Sequence, residues 1–280
     1  TLALFEDDVM TRRETHATDR SGGREWMLDR IAEVARNWDT PFDSCGIGFG
    51  GPVLFEEQRV ALSTHVSGWS GFDLPAWVRE TLGVSAVVDN DANVGALGEA
   101  TSGAGRGVLP LFYMTLSTGI GGGIVLPDGI YRGADSYAGE IGHTTVQPDG
   151  PECLCGSRGC LERLCSGLWL ERDHGRTPRE LLQDPAFVER YVVDLARGLK
   201  TVIMLLNPAR IVIGGGIAKA GDRLFIPLRD ELSRQITSWS RARGDVVPAA
   251  LGDDSVLHGA RVLAESAKSG RKFMAERLRP

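Results

Sequence analysis

The chain has 280 residues, 42% of them hydrophobic and 24% charged, with a formal net charge of −6. These proportions are typical of folded globular proteins and exclude a disordered or fibrous chain. The acidic balance disfavours nucleic acid as a partner, because binding to a phosphate backbone requires clustered positive charge. The longest apolar stretch, residues 108–116, is far shorter than the roughly 20 residues of a membrane span, so we expect no membrane association and a cytoplasmic protein.

The first predicted elements are two short strands, residues 1–5 and 9–15, on either side of an acidic turn. Apolar residues between Met27 and Trp38 recur at helical spacing and predict a helix. No basic segment typical of a signal peptide precedes these elements. Since the chain begins with Thr1 and not with Met, we expect the native protein to have residues upstream.

Two further strands are predicted at residues 45–49 and 84–88, and each leads into a loop that could carry functional residues. The first leads to Gly50 and Gly51, and the second to the segment Asp-Asn-Asp-Ala-Asn at residues 89–93. An exposed Asp there could accept a proton from a hydroxyl group, and an Asn could orient a sugar. The alternative for this segment is that its polar side chains cap the following helix.

A glycine-rich link at residues 102–107 predicts a boundary between two α/β lobes. We assign residues 1–107, completed by a helix at about 256–268, to the smaller lobe and residues 108–255 to the larger one. In the second lobe, a strand at 111–116 runs into the glycine-rich segment 117–123 before its partner strand resumes. Such a segment offers backbone N–H groups without obstructing side chains, which favours phosphate binding over a purely structural turn.

Two common nucleotide-binding motifs are excluded, one because it does not occur and the other because of its context. No G-x-x-x-x-G-K-[ST] segment occurs, so the chain has no Walker-type phosphate loop. Gly46, Gly48 and Gly51 match a G-x-G-x-x-G pattern, but Pro52 follows and no helical periodicity begins there.

Later in the chain, a helical stripe between Val188 and Leu206 precedes a buried strand at 211–213 and a glycine turn at 214–216.

Cysteines cluster in the second predicted lobe, where three lie within residues 153–160. His143 lies ten residues before the first of them, so a tetrahedral zinc site with three Cys and one His is reasonable, and Cys165 is an alternative fourth ligand. A site with four protein ligands leaves no position for water and would be structural. Cys45 stands apart and is expected in the core.

Together these segments resemble the ROK family of repressors, open reading frames and kinases. The resemblance covers nearly the whole chain and implies an α/β, actin-like ATPase (ribonuclease H-like) fold with two lobes around a central cleft. It rests on the order and spacing of six motifs, at residues 46–52, 89–93, 118–123, 140–143, 153–162 and 213–216.

The resemblance implies a role for each motif in an ATP-dependent sugar kinase. Asp91 would be the general base on the sugar hydroxyl. The hexose would be bound by Gly51, Asn90, Asp91, Glu140, His143 and Glu162. Structural zinc would be bound by His143, Cys153, Cys155 and Cys160. ATP, accompanied by Mg²⁺, would meet Thr118, Gly119, Gly121, Gly214, Gly215 and Gly216.

Glucose is the favoured substrate, because the segments 140–143 and 153–162 look most like those of bacterial glucokinases; N-acetylmannosamine, N-acetylglucosamine and fructose stay open. The family's kinases open with a D-x-G-G-T-K phosphate loop ahead of the strand at 1–5, and the sequence lacks it. A sugar-sensing regulator without catalysis is therefore the alternative of another class. The segment at Thr64 and His65 also departs from many glucokinases. By analogy we expect a homodimer, and we assign no role to residues 269–280.

Overall fold

The structure is a computed structural model that describes residues 1–19, 21–63, 66–238, 240, 242 and 244–269. It begins with the predicted hairpin, in which strands β1 (Leu2–Glu6) and β2 (Val9–Glu14) pair antiparallel. The predicted helix follows as α1 (Gly23–Asn37), with Leu28 and Val34 among its buried residues. Thr64, His65 and residues 270–280, on which two of the expectations fall, lie outside the described residues.

The second part of the chain carries the predicted strand pair. Its elements in chain order are β3 (Ser44–Phe49), β4 (Val53–Leu54), β5 (Arg59–Val60), α2 (Leu74–Leu82), β6 (Ser85–Asn90) and α3 (Asp91–Ser102). β3 and β6 are parallel, with Gly48 opposite Asp89 and Phe49 opposite Asn90. The carboxyl ends of both strands therefore meet at one edge, which places the loop at Gly50 beside the start of α3.

A five-stranded sheet forms the centre of the remaining chain. Its strands β7 (Leu111–Leu116), β8 (Ile120–Leu126), β9 (Gly129–Ile130), β10 (Arg210–Gly214) and β11 (Val246–Pro248) lie in the order β11-β10-β7-β8-β9. β10 runs parallel to β7, and β8 runs antiparallel to β7. Consequently Thr115 has Gly214 on one side and Gly121 on the other.

Six further α-helices complete the described part of the chain. They are α4 (Leu161–Cys165), α5 (Gly167–His174), α6 (Pro178–Leu181), α7 (Pro185–Leu206), α8 (Asp222–Gln235) and α9 (Ser255–Ser269). The predicted stripe of α7 is buried from Val188 to Ile203, whereas Leu206 at its end is exposed. The helix ends where Asn207 adopts a left-handed conformation with φ 42°. Among the described helices, none is both long and apolar enough to cross a bilayer.

The glycine-rich segment differs from the sequence prediction. β8 already begins at Ile120, so Gly121, Gly122 and Gly123 lie in the strand and only residues 117–119 form the turn. The reason is the close approach of α3: a Cβ atom at Gly123 would lie 2.4 Å from the carbonyl oxygen of Ala92. These glycines therefore allow a helix to pack directly on the strand.

The final helix packs on the start of the chain through similarly small residues. A Cβ atom at Gly259 would lie 1.7 Å from the carbonyl oxygen of Val94 in α3, and one at Gly46 would lie 1.8 Å from that of Ala260. Because no side chain separates them, the backbones of α9, α3 and β3 are in direct contact, and this fixes the position of the α3 amino terminus.

Candidate active site

The site is built around the corner where β6 turns into α3. Asn90 is the N-cap of α3: its side-chain oxygen accepts hydrogen bonds from the amides of Ala92 (2.9 Å) and Asn93 (3.4 Å). Its side-chain nitrogen donates to the carbonyl oxygen of Gly51 at 3.0 Å. The capping alternative is thus confirmed for Asn90, whereas Asp91 remains available for chemistry as the first residue of the helix.

Asp91 faces the loop that follows β3. A Cβ atom at Gly50 would lie 3.7 Å from Oδ2 of Asp91, in ordinary van der Waals contact, so the loop lies directly beside the carboxylate. Loss of hydration, reinforced by the negative charge of Glu140, raises the pKa of Asp91 from 3.8 to about 6, and the hydrogen bond from the Ala92 amide opposes this rise. Such a group is ionised at neutral pH yet more basic than an ordinary Asp, which suits a general base.

Two further carboxylates and a histidine are grouped with Asp91. Burial raises the pKa of Glu140; His143 lowers it, and the charge of Glu162 raises it. Glu140 immediately precedes a short 3₁₀ helix that ends at His143. The structure therefore brings together four residues predicted separately: Asp91, Glu140, His143 and Glu162.

Glu162 lies on helix α4, two residues after Cys160. Its Oε2 accepts a hydrogen bond from the amide of Ile120 at 2.9 Å, the first residue of β8. The same oxygen lies 2.9 Å from where a Cβ atom of Gly119 would be, so the turn approaches the carboxylate only because residue 119 is glycine. Glu162 thus connects the acidic group to the turn after β7.

The two predicted glycine segments are neighbours. Gly214 pairs with Thr115, and a Cβ atom at Gly216 would lie 3.8 Å from Oγ of Ser117. Gly215 has φ +92°, and a Cβ atom there would lie 2.5 Å from the carbonyl oxygen of Leu116, so only glycine fits. The carboxyl ends of β7 and β10 thus share one surface with little side-chain bulk.

The predicted phosphate residues divide between this surface and the packing of α3. Thr118 and Gly119 belong to the turn, where the amide of Leu168 in α5 donates to the carbonyl oxygen of Thr118 at 3.1 Å. Gly121 lies in β8, where a Cβ atom would be 3.1 Å from that of Ala92. Packing against Ala92 accounts for the glycine at 121. Because Ala92 directly follows Asp91, the same contact places β8 beside the Asp91 corner.

A four-residue cluster is suited to a metal ion. The ligand atoms of His143, Cys153, Cys155 and Cys160 all lie within 4.8 Å of one another. The Sγ atoms of Cys155 and Cys160 are 3.6 Å apart, close to the roughly 3.7 Å that tetrahedral Zn–S bonds of about 2.3 Å require. Cys165, the alternative ligand, is buried in the core and does not belong to the cluster.

The sequence reasoning missed one contact at the corner. Nε of Arg132 lies 2.8 Å from Oδ2 of Asp89, and the Asp89 side chain is only 1% exposed. The two residues are separated by 43 positions. Arg132 belongs to no recognisable motif, so no local pattern could have revealed this pair.

The chain belongs to the ROK family, whose model matches residues 1–267. It is 32% identical to a glucokinase of Thermotoga maritima, over 92% of this chain and 90% of that protein. It is also 26% identical to the xylose repressor of Bacillus spizizenii, over 84% of this chain and 65% of the repressor. The family therefore places the chain among sugar kinases and their repressor relatives.

Solved structures identify the fold. A ROK hexokinase from Thermus thermophilus superimposes with a TM-score of 0.82 at 31% identity, covering 96% of this chain and 95% of that one. A ROK glucokinase from Streptomyces griseus in complex with glucose and AMPPNP gives 0.81 at 27% identity, covering 94% of each chain. The chain thus has the actin-like ATPase fold with two lobes around a central cleft, as predicted.

Proposed function

We propose that the protein transfers the γ-phosphoryl group of ATP to a hydroxyl of a hexose, with glucose the first candidate and Asp91 the general base. The observation that carries the proposal is the placement of Asp91, a carboxylate of raised pKa at the start of α3, beside the loop at Gly50. Similarity to the Thermotoga maritima glucokinase supports it. In the reaction, the hydroxyl proton passes to Asp91, the oxygen attacks the γ-phosphorus and ADP leaves.

The sugar would be held by Gly51, Asn90, Glu140, His143 and Glu162. Carboxylates and amides are well suited to this role, because each offers several acceptor or donor positions to neighbouring hydroxyls. Asn90 uses one N–H on Gly51 and its oxygen for the helix cap. It keeps a second N–H for the sugar, and its orientation is set before the sugar arrives.

The nucleotide would lie along the glycine surface. Thr118, Gly119 and Gly121 are proposed to face the phosphates, and Gly214, Gly215 and Gly216 the rest of the nucleotide. Mg²⁺ would enter with ATP and neutralise phosphate charge. Phosphoryl transfer depends mainly on positioning and charge neutralisation, so the adjacency of this surface to the Asp91 corner supports the assignment.

Zinc is the metal we propose for the four-residue cluster, since three thiolates and one imidazole are its usual structural ligands. His143 is proposed both to bind zinc and to contact the sugar, which an imidazole can do because it has two ring nitrogens. Cys160 is followed two residues later by Glu162, so the cluster would also anchor the α4 amino terminus. The zinc would thereby position two sugar contacts without taking part in the chemistry.

The lobe boundaries, the oligomeric state and the location are not part of the site. We propose lobes at residues 1–107, completed by α9, and 108–255, divided where the glycine-rich link precedes β7. A homodimer stays a prediction from the family resemblance, and a cytoplasmic location stays a prediction from the sequence.

The proposal is tested by ADP release with glucose, mannose, fructose, N-acetylglucosamine and N-acetylmannosamine. The 280-residue chain is assayed beside a chain that includes any residues preceding Thr1 in its gene. One sugar should stimulate ADP release, and Asp91→Asn should abolish the stimulation. Sugar-independent ADP release, or none in either chain, would contradict the kinase assignment.

A sugar-sensing regulator is the second candidate, and similarity to the Bacillus spizizenii xylose repressor favours keeping it. This chain spans 65% of that repressor's length. A sensor would bind one sugar of the panel in calorimetry while releasing no ADP from either chain. The two functions are therefore separated by one pair of measurements.

A further inference from the structure

We propose that the ion pair between Arg132 and Asp89 is a positioning device that holds Asn90 and Asp91 in their working geometry. The inference rests on the proposed sugar-kinase function for its catalytic consequence. Arg132 follows β9, in the segment that continues to Glu140. Neither residue of the pair is among the sugar or nucleotide contacts proposed above, so the role is indirect.

Asp89 controls the corner through its own hydrogen bonds. Its Oδ1 accepts from the backbone amide of Asn90 at 2.7 Å and from the side-chain amide of Asn93 at 3.1 Å. One bond fixes the peptide between Asp89 and Asn90, and the other fixes the first turn of α3. The orientation of the Asp89 carboxylate therefore determines where the residues on either side of the strand–helix junction lie.

Arg132 determines that orientation. Its Nε donates to Oδ2 of Asp89 at 2.8 Å, and its guanidinium carbon lies 3.4 Å from the ring centroid of Phe55. The Arg132 side chain is 19% exposed and Asp89 is buried, so the interaction is shielded from solvent. A buried carboxylate that loses its cation must rotate, take up a proton or draw in water.

Phe55 is itself tied to both sides of the pair. Its backbone amide donates to Oγ of Ser136 at 3.1 Å, in the segment between Arg132 and Glu140. Gln58 donates from its side chain to the carbonyl oxygen of Phe55 at 2.7 Å and accepts from the amide of Val88 at 2.9 Å. The turn between β4 and β5 thus bridges β6 to the segment that leads to Glu140.

This arrangement couples two groups of the proposed sugar site. The corner at the end of β6 carries Asn90 and Asp91, and the segment after Arg132 carries Glu140. A displacement of about 1 Å at a reacting group can reduce a rate by a factor of about 100. Loss of the ion pair should therefore affect the chemical step while leaving the nucleotide surface, which has no contact with the pair, intact.

The test compares Arg132→Met, Arg132→Lys and the double variant Asp89→Asn/Arg132→Met with the parent chain. Arg132→Met should lower kcat by about 10- to 100-fold and change the KM for ATP by less than about twofold. Arg132→Lys keeps the charge and one donor, so it should recover most of the loss. The double variant removes both charges and should be less impaired than Arg132→Met, because no buried carboxylate is left unpaired.

Arg210→Met is the matched control. Arg210 also binds a carboxylate, with Nε 2.8 Å from Oδ2 of Asp245, but it lies at the amino end of β10, away from the Gly214 end. It should lower the Tm less than Arg132→Met does, because the Asp245 side chain is 44% exposed and stays hydrated, and it should leave kcat unchanged. An equal kcat loss in Arg210→Met and Arg132→Met would overturn the inference, because it would reduce the pair to general stability.

Hydrogen exchange provides a readout that needs no ligand. Arg132→Met should accelerate amide exchange by at least about tenfold at residues 90–93, without a matching change in α7. Faster local exchange in a protein that phosphorylates no sugar would support the positioning role and remove the kinase assignment. Unchanged exchange at residues 90–93 together with unchanged kcat would overturn the positioning role.

Discussion

The corner after β6 and the turn after β7 lie close together but are stabilised in different ways. At the corner, polar side chains do the positioning: Asp89 and Asn90 bind backbone amides directly. At the turn, the absence of side chains does it, since Gly119 and Gly215 leave room for Glu162 and the backbone of Leu116. Proton transfer requires one carboxylate in one place, whereas a phosphate group is bound by many diffuse donors, and each mode of construction suits its ligand.

The largest effect is expected from Asp91→Asn, which removes the base and leaves the corner's hydrogen bonds in place. We expect kcat to fall by about 10² to 10⁴, the usual contribution of a general base. Thermal stability should rise, because the lost charge is one that burial and Glu140 disfavour. Steady-state kinetics and a melting curve of the same sample check both signs, and undiminished turnover would exclude Asp91 as the base.

Loss of the metal cluster is expected to weaken sugar binding through His143 and Glu162. Cys160→Ser should lose the bound zinc and weaken sugar affinity by about 10- to 100-fold, because His143 and Glu162 lose their anchor. Elemental analysis and calorimetry measure the two effects. Cys45→Ala is the control, since Cys45 lies on β3 outside the cluster and its loss should leave the zinc content unchanged.

The close packing of α3 on the glycines of β8 is tested by Gly123→Ala. The added methyl would lie 2.4 Å from the carbonyl oxygen of Ala92, so α3 must move away from β8. We expect the free energy of unfolding in urea to fall by about 1–3 kcal/mol. Gly216→Ala is the matched control: its backbone is right-handed helical and its nearest neighbour would be 3.8 Å away, so stability should be kept or slightly raised.

A change of pH is the mildest perturbation, since its effect is small at neutral pH and grows only on acidification. The proposed base is inactive when protonated, so kcat/KM for the sugar should fall about tenfold per pH unit below a pKa near 6 and level off above it. The sign for stability is opposite. Asp91 holds its proton more tightly in the folded state, so its contribution to the free energy of unfolding should decrease as pH rises from about 4 to 6. An activity profile that is flat down to pH 4 would contradict the raised pKa.

Features that depend on local sequence patterns could be predicted from the sequence. Strongly patterned elements such as β3, β6 and α7 were predicted because local periodicity determines them. The Asp91 corner could be located because strand, polar loop and helix are consecutive. The cysteine cluster could be located from its spacing, since three of its ligands lie within eight residues.

What could not be predicted depends on contacts between distant segments. Three glycines attributed to a phosphate turn lie in β8, where Gly121 and Gly123 pack against Ala92 and Gly122 packs against Gly139. Glu162 is in a helix, and its hydrogen bond to Ile120 joins positions 42 residues apart. The Arg132–Asp89 pair is of the same kind. No local pattern records such contacts, so only the folded chain shows them.

The central claim is that the Asp91 corner transfers phosphate to a sugar, and the most direct test is to measure both products in one reaction. The chain, with any residues that precede Thr1 in its gene, is incubated with ATP, Mg²⁺ and the preferred hexose, and ADP and sugar phosphate are quantified by mass spectrometry. We expect one sugar phosphate for each ADP, and neither product with Asp91→Asn. Sugar binding without sugar phosphate, or turnover that persists in Asp91→Asn, would contradict it.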